Sequence, residues 1–181
     1  MSNLPGGMYR RDPSSGKFIF GLPIFPASKI PLIDISKDTG TFIKAILLNR
    51  EKSLGKEYYG AVDYYTPERI VNEFKEVFPE DGEGSKFQTI PDEDYKKVLE
   101  GFGMSGKVQE ELLENMKLLG DEFGYYDGAD LTESHEVGLD ITMRRGDREG
   151  RNADVIGQFI GEPLVGWKEF IKNAPAFKGL K

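Results

Sequence analysis

Cysteine is absent from this 181-residue chain, which removes disulfides, thiolate metal sites and thiol nucleophiles together. Histidine occurs once, at His135. A single imidazole among scattered carboxylates does not make a zinc set, and Ser134 beside it cannot reach the same ring in triad geometry, so a surface or capping role is expected and no metal is indicated. Positive charge is in deficit as well: 24 Lys and Arg face 31 Asp and Glu, for a net charge of −7. Such a surface repels phosphate backbones, which argues against direct nucleic-acid binding. No run approaches the ~20 apolar residues of a membrane span, and the opening MSNLPGGMYRR carries no apolar signal-peptide core. With Cys missing too, a cytoplasmic location, or a nuclear one, fits best.

What is present reads as one globular domain, large enough to bury about 70% of its unfolded surface. Pro5-Gly6-Gly7 and Asp12 to Gly16 punctuate the start as turns, with short extended runs between and after them. Phe18 to Phe20 is a candidate strand, and Ile30 to Ile35 another, placed at a strand start or an edge by Pro31. Asp38 is expected to cap a helix from Thr39 to about Leu48, laying Phe42, Ile43, Ile46 and Leu47 on a sheet as one stripe. Glu57 to Asp63 is β-prone. Thr66-Pro67-Glu68 is a strong helix start, with Thr at the cap, Pro in the first turn and an acid near the positive end of the dipole. Ile70, Val71, Phe74, Val77 and Phe78 follow on one face, with Glu68, Asn72, Glu73 and Glu76 on the wet one. Phe87 to Ile90 is a strand, Asp92 to Glu100 a helix carrying Tyr95, Val98 and Leu99, and Ser105 or Gly106 opens a helix closed by Gly120. Trp167, Phe170 and Ile171 make a last helix that Pro175 ends. The β-helix-β-helix-helix order of the middle suits a small α/β subdomain.

Few residues invite chemistry. Gly101-Phe-Gly103-Met-Ser-Gly106 matches the dinucleotide finger G-x-G-x-x-G, with Asp121 and Glu122 near the place of a ribose-binding acid. That finger needs a strand before it and a helix after it, and here a helix precedes, so the match is expected to be a helix stop and linker. Asp127 to Asp130 lacks the alternating ligands of a calcium loop. Glu110 and Glu114 lie one turn apart on a solvated stripe, and Asp92 to Asp94 are first-turn acids. The tyrosine pairs 58/59, 64/65 and 125/126 could stack on a flat ligand, but core packing is their commoner use. Arg145-Gly146-Asp147 spells an adhesion tripeptide with nothing to support export. Val137 to Gly161 is rich in Arg and Gly, has no sustained period and is expected to carry little order. Either a flexible insertion or a segment foreign to the ancestral protein, such as retained non-coding sequence, would explain it.

LPIFPASKIPLIDISKDTGTFIKAILLNRE from Leu22, KEYYGAVDYYTPERIVNEF from Lys56 and WKEFIKNAPAF from Trp167 resemble the C-terminal half of the NmrA-like family, relatives of the extended short-chain dehydrogenases. The resemblance implies an α/β fold made of the late sheet strands of a Rossmann-type domain plus a small helical subdomain. It divides the chain into 1–136, an irregular insertion at 137–161, and a closing helix of the same domain within 162–181. No counterpart of the glycine-finger half is found, so the chain reads as a truncated member that starts late and lacks that half. By resemblance, Met1, Asn3 and Leu4 match the segment on the nicotinamide side of the cleft, whereas Asp34, Asp38, Thr66 and Pro67 match structural positions. No catalytic residue carries over. Some members bind NAD or NADP as redox-responsive regulators, restraining a GATA-type transcription factor in fungal nitrogen metabolism; others are NAD(P)H-dependent oxidoreductases of secondary metabolism. The regulator comes first, the oxidoreductase second, and a small acidic interaction module third. This chain alone is expected to bind no cofactor and to be poorly stable or to self-associate.

Overall fold

A computed structural model describes residues 8–119, 126, 131 and 164–181. The chain divides into two units. The first takes Met1–Ile30, Tyr65–Gly128 and Trp167–Lys181; the second takes Pro31–Tyr64 and Ala129–Gly166.

In the first unit, β1 (Tyr9–Arg11) and β2 (Phe18–Leu22) form an antiparallel hairpin with Tyr9 opposite Phe20 and Arg11 opposite Phe18. The connecting turn is held by Asp12, whose carboxylate accepts from the Ser14 N–H and from the Ser14 and Ser15 hydroxyls. Those donors favour the charged form and pull the Asp12 carboxyl down to about 2. Gly16 closes the turn at φ +69°, a conformation that Cβ disfavours. Across β2 lies β5 (Lys86–Thr89), parallel to it, giving the order β1-β2-β5.

Helix α3 (Pro67–Val77) begins as expected: the Thr66 hydroxyl accepts from the Arg69 N–H at 3.2 Å, and Pro67 occupies the first turn. Its Ile70, Val71 and Phe74 are buried. Phe74 is the hub of an aromatic core, with ring centroids 4.4 Å from Tyr9, 5.1 Å from Phe18 and 5.3 Å from Phe177. Gly82 follows where nothing larger fits, since a Cβ there would stand 2.5 Å from the Phe78 carbonyl oxygen and 2.8 Å from the Lys75 Cα. Helices α4 (Asp92–Gly101) and α5 (Gly106–Leu118) form a hairpin that buries Tyr95, Leu99 and Leu113. Trp167 is fully buried at the start of α6 (Trp167–Asn173), its indole N–H donating to the Ile70 carbonyl at 3.0 Å and its backbone N–H to the Tyr65 hydroxyl at 3.2 Å. A short 3-10 turn, Pro175–Phe177, inserts Phe177 into the aromatic core. The C-terminal segment is tied down by Asp81, which pairs with Arg11 and accepts from the Lys181 N–H, while the Lys181 carbonyl accepts from the Glu80 and Asp81 N–H groups. These donors, Lys181 first and then Arg11, hold the Asp81 carboxyl below its ordinary value.

The second unit is built on β3 (Ile30–Leu32) and β4 (Asp63–Tyr65), paired as a two-stranded sheet; the chain enters the unit within β3 and leaves it within β4. The β-prone run at Glu57 to Asp63 therefore becomes a strand only from Asp63, and Tyr64 and Tyr65 complete it. Helix α1 runs over Ile35–Leu48 and the single turn α2 over Arg50–Ser53. The expected cap is corrected here: Asp34, not Asp38, caps α1, accepting from the Ser36 N–H at 3.1 Å. The expected single apolar stripe is corrected as well. Asp38, Thr41, Phe42 and Ala45 form the buried face, whereas Ile43 and Leu47 are 52% and 69% exposed.

Candidate functional site

Met1, Asn3 and Leu4, assigned by resemblance to the nicotinamide side of a cleft, lie outside the described residues, as do His135, Asp121, Glu122, Asp127 to Asp130, the Arg145 tripeptide and Val137 to Gly161. The site is therefore read from the described residues alone.

The glycine motif does not have a finger's geometry. Gly101 is the last residue of α4, Gly103 makes the turn at φ +75°, and Gly106 is the first residue of α5. Backbone bonds from Phe102 to Leu99, Gly103 to Glu100 and Met104 to Leu99 terminate α4. A helix stands where the finger needs a strand, so no βαβ crossover delivers pyrophosphate to the α5 N-terminus.

The most unusual charged group is Asp38, only 1% exposed. One carboxylate oxygen accepts from the Asp34 N–H at 3.1 Å, the other from the Val165 N–H at 3.1 Å. Together with the Asp34 cap this is a reciprocal arrangement like a capping box, one position longer. Burial pushes the Asp38 carboxyl up against the opposing pull of its two N–H donors, and the neighbouring Asp34 adds to the rise. Composition could not reveal this role, but spacing could: Asp38, Phe42 and Ala45 share a face at i, i+4 and i+7. Asp38 joins α1 to the segment at Val165 and has no open side from which to act on a substrate.

The tyrosines serve the core. Burial raises the Tyr9 hydroxyl above its normal range, with the Ser85 hydroxyl nearby pulling weakly the other way; neither reaches full hydrogen-bond geometry with a partner. Tyr95 is raised by burial alone. Both shifts move away from neutrality, contrary to what proton transfer near pH 7 needs. Tyr65 accepts from Trp167 and lies under the Arg69 guanidinium at 3.9 Å. The surface carboxylates make ion pairs: Lys96 reaches Glu110 at 2.6 Å and Lys117 reaches Asp92 at 2.9 Å, both bracing the α4–α5 hairpin. Among the described residues no group of three or more His, Asp or Glu could hold a metal ion, and no helix is long and apolar enough to cross a membrane.

Parallel and antiparallel strands, helices set by Pro and Thr caps, and a helical hairpin define a mixed α/β protein of Rossmann type. Residues 1–146 match the profile of the NmrA-like family, and the chain belongs to that family, whose members generally bind NAD(P). A search of curated proteins finds no match.

Proposed function

We propose that this chain acts in an NmrA-like regulator linked to NAD(P), and that dinucleotide binding depends on a glycine-finger half other than the described residues. The observation that carries this reading is the helix–turn–helix setting of the one G-x-G-x-x-G motif, which gives pyrophosphate no cradle. The two tyrosines whose hydroxyls burial perturbs, Tyr9 and Tyr95, belong to the core and supply no acid or base. A net charge of −7 favours restraint of a transcription factor, of the GATA type by family resemblance, through protein contact and not through DNA.

Calorimetry with NAD and NADP against this chain is expected to give no heat. Micromolar binding abolished by Gly103→Val would assign the dinucleotide to the α4–α5 turn instead. Fusing a family-type Rossmann half ahead of Met1 is expected to create NAD(P) binding without rapid hydride transfer to a panel of carbonyl and enone substrates. Turnover at ~1 per second or faster, within the usual enzyme range, would replace the regulator with an NAD(P)H-dependent oxidoreductase.

A further inference from the structure

The turn of the β1–β2 hairpin sets exposed hydroxyls directly after paired arginines. Arg10 and Arg11 end β1, and Ser14 and Ser15 follow at the apex, all four in solvent. Over residues 10–17 Arg10, Arg11 and Lys17 face Asp12 alone, a locally basic stretch in a chain of net charge −7. Among the described strands β1 lies at an edge and pairs only with β2, so Arg10 and Arg11 can leave Ile19 and Phe18 without disturbing a third strand.

The two hydroxyls are not equivalent. That of Ser15 donates to Asp12 at 2.7 Å and accepts from the Lys17 N–H at 3.4 Å. Among the described residues that of Ser14 only donates, to the two Asp12 oxygens at 2.9 and 2.8 Å, which leaves its lone pairs open to an electrophile. Ser14 also stands three residues after Arg11 and four after Arg10.

We propose that Ser14 is a phosphorylation site for a protein kinase that selects arginines ahead of its target, and that the phosphate draws Arg11 away from Asp81. In the transfer the Ser14 Oγ bonds to the γ-phosphorus of a nucleoside triphosphate, the bond from that phosphorus to the β–γ bridging oxygen breaks, the diphosphate leaves, and the hydroxyl proton passes to the kinase's catalytic carboxylate. Acidic pockets beside such a kinase's cleft hold the two guanidinium groups. Arg11 is free to turn to them because its side chain is 49% exposed, and an ion pair at that exposure is weak. The product carries a charge of about −1.5 to −2 at pH 7. It takes the place of the proton that Ser14 donates to Asp12, so that carboxylate loses a donor and gains a like charge beside it. The cation at hand is Arg11, whose guanidinium donates to the Gly16 carbonyl in the same turn at 3.0 Å while pairing with Asp81. A phosphate offers it three acceptor oxygens, against the single Asp81 oxygen that it meets otherwise. The Asp81 carboxylate then keeps only the Lys181 N–H, at 2.8 Å, and the hairpin's tie to the C-terminal segment is lost.

The test incubates the full chain with ATP and the catalytic subunit of a cyclic-AMP-dependent protein kinase, which selects such arginines, and maps the product by mass spectrometry. One phosphate is expected, on Ser14. It should be lost in Ser14→Ala, kept in Ser15→Ala, and added at least about tenfold more slowly when Arg10→Gln and Arg11→Gln are combined. Trypsin then reads the C-terminal segment. Cleavage after the exposed Lys178 should be about two- to fivefold faster in the phosphorylated chain, the factor that an exposed ion pair supplies. Asp81→Asn, which lacks the pair from the start, should be cut faster without phosphate and gain nothing from it. A folded chain that takes no phosphate, or takes it on Ser15 or elsewhere, would overturn the site. Phosphorylation of Ser14 that leaves cleavage after Lys178 unchanged, or that still accelerates it in Asp81→Asn, would overturn the action through Arg11.

Discussion

At the residue scale, Asp38 sets the clearest expectation. Its carboxyl is raised by burial, so the folded chain holds this proton to higher pH than the unfolded chain does. The associated stability is present in full below the ordinary carboxylate value and is lost as pH rises through the raised one. Asp38→Asn cannot titrate and offers one oxygen to the two N–H donors of Asp34 and Val165, so at the acid end it should be less stable by about 1–3 kcal/mol. Thermal melts of both proteins across pH 4 to 8 should show that gap narrowing toward high pH; a widening gap would mean the carboxylate is favoured by folding. Gly82 gives a steric counterpart. Its absent Cβ would press on the Phe78 carbonyl and the Lys75 Cα, both backbone, so Gly82→Ala should cost on the order of 1–3 kcal/mol in denaturant unfolding. An unchanged midpoint would show that the turn can shift freely.

At the scale of elements, what sequence made legible follows the strength of local chemistry. Thr66-Pro67 fixed the start of α3 because cap and first-turn Pro agree, and Phe18 to Phe20, Asp92 to Glu100 and the Gly106 helix all formed within a residue or two of expectation. The miss at α1 has a physical cause. Asp34 and Asp38 are both good caps four residues apart, and tertiary burial of Asp38 against Val165 decided between them. Ile43 and Leu47 misled for a related reason: helical spacing identifies an apolar face without saying whether this chain covers it. The candidate site was less legible than the fold, since its assignment to Met1, Asn3 and Leu4 rests on resemblance alone. Helix α6 was legible from Trp167, Phe170 and Ile171, but the bond from the indole to Ile70 was not. That bond makes a prediction: Trp167→Phe should destabilise by about 1–3 kcal/mol, because the indole's hydrogen bond, a second one on the helical Ile70 carbonyl, is lost together with some packing. A loss below about 0.5 kcal/mol by chemical denaturation would mean that packing alone fixes α6.

At the scale of the whole molecule, the chain's path constrains how it can be divided. The first unit is assembled from three separated segments, and its sheet depends on β2 from the first lying parallel to β5 from the second. Phe18, Phe20 and Leu22 of β2 are 7%, 0% and 1% exposed, and each buried side chain of this size contributes about 1.5–3 kcal/mol. Their combined loss is comparable with the 5–15 kcal/mol that typically separates folded from unfolded domains. A fragment comprising residues 65–181 retains α3, β5, α4, α5 and α6 but lacks β2, the strand that β5 pairs with, and it leaves Phe74 without Tyr9 and Phe18. We expect that fragment to show no cooperative melt by circular dichroism, and the Trp167 fluorescence to be that of a solvated indole. Adding a peptide of residues 1–30 should restore a cooperative transition in proportion to its concentration, since the missing strands are supplied by mass action. A fragment that melts cooperatively by itself would show that the α3–α6 packing through Trp167, and not the β2–β5 pairing, holds this unit together.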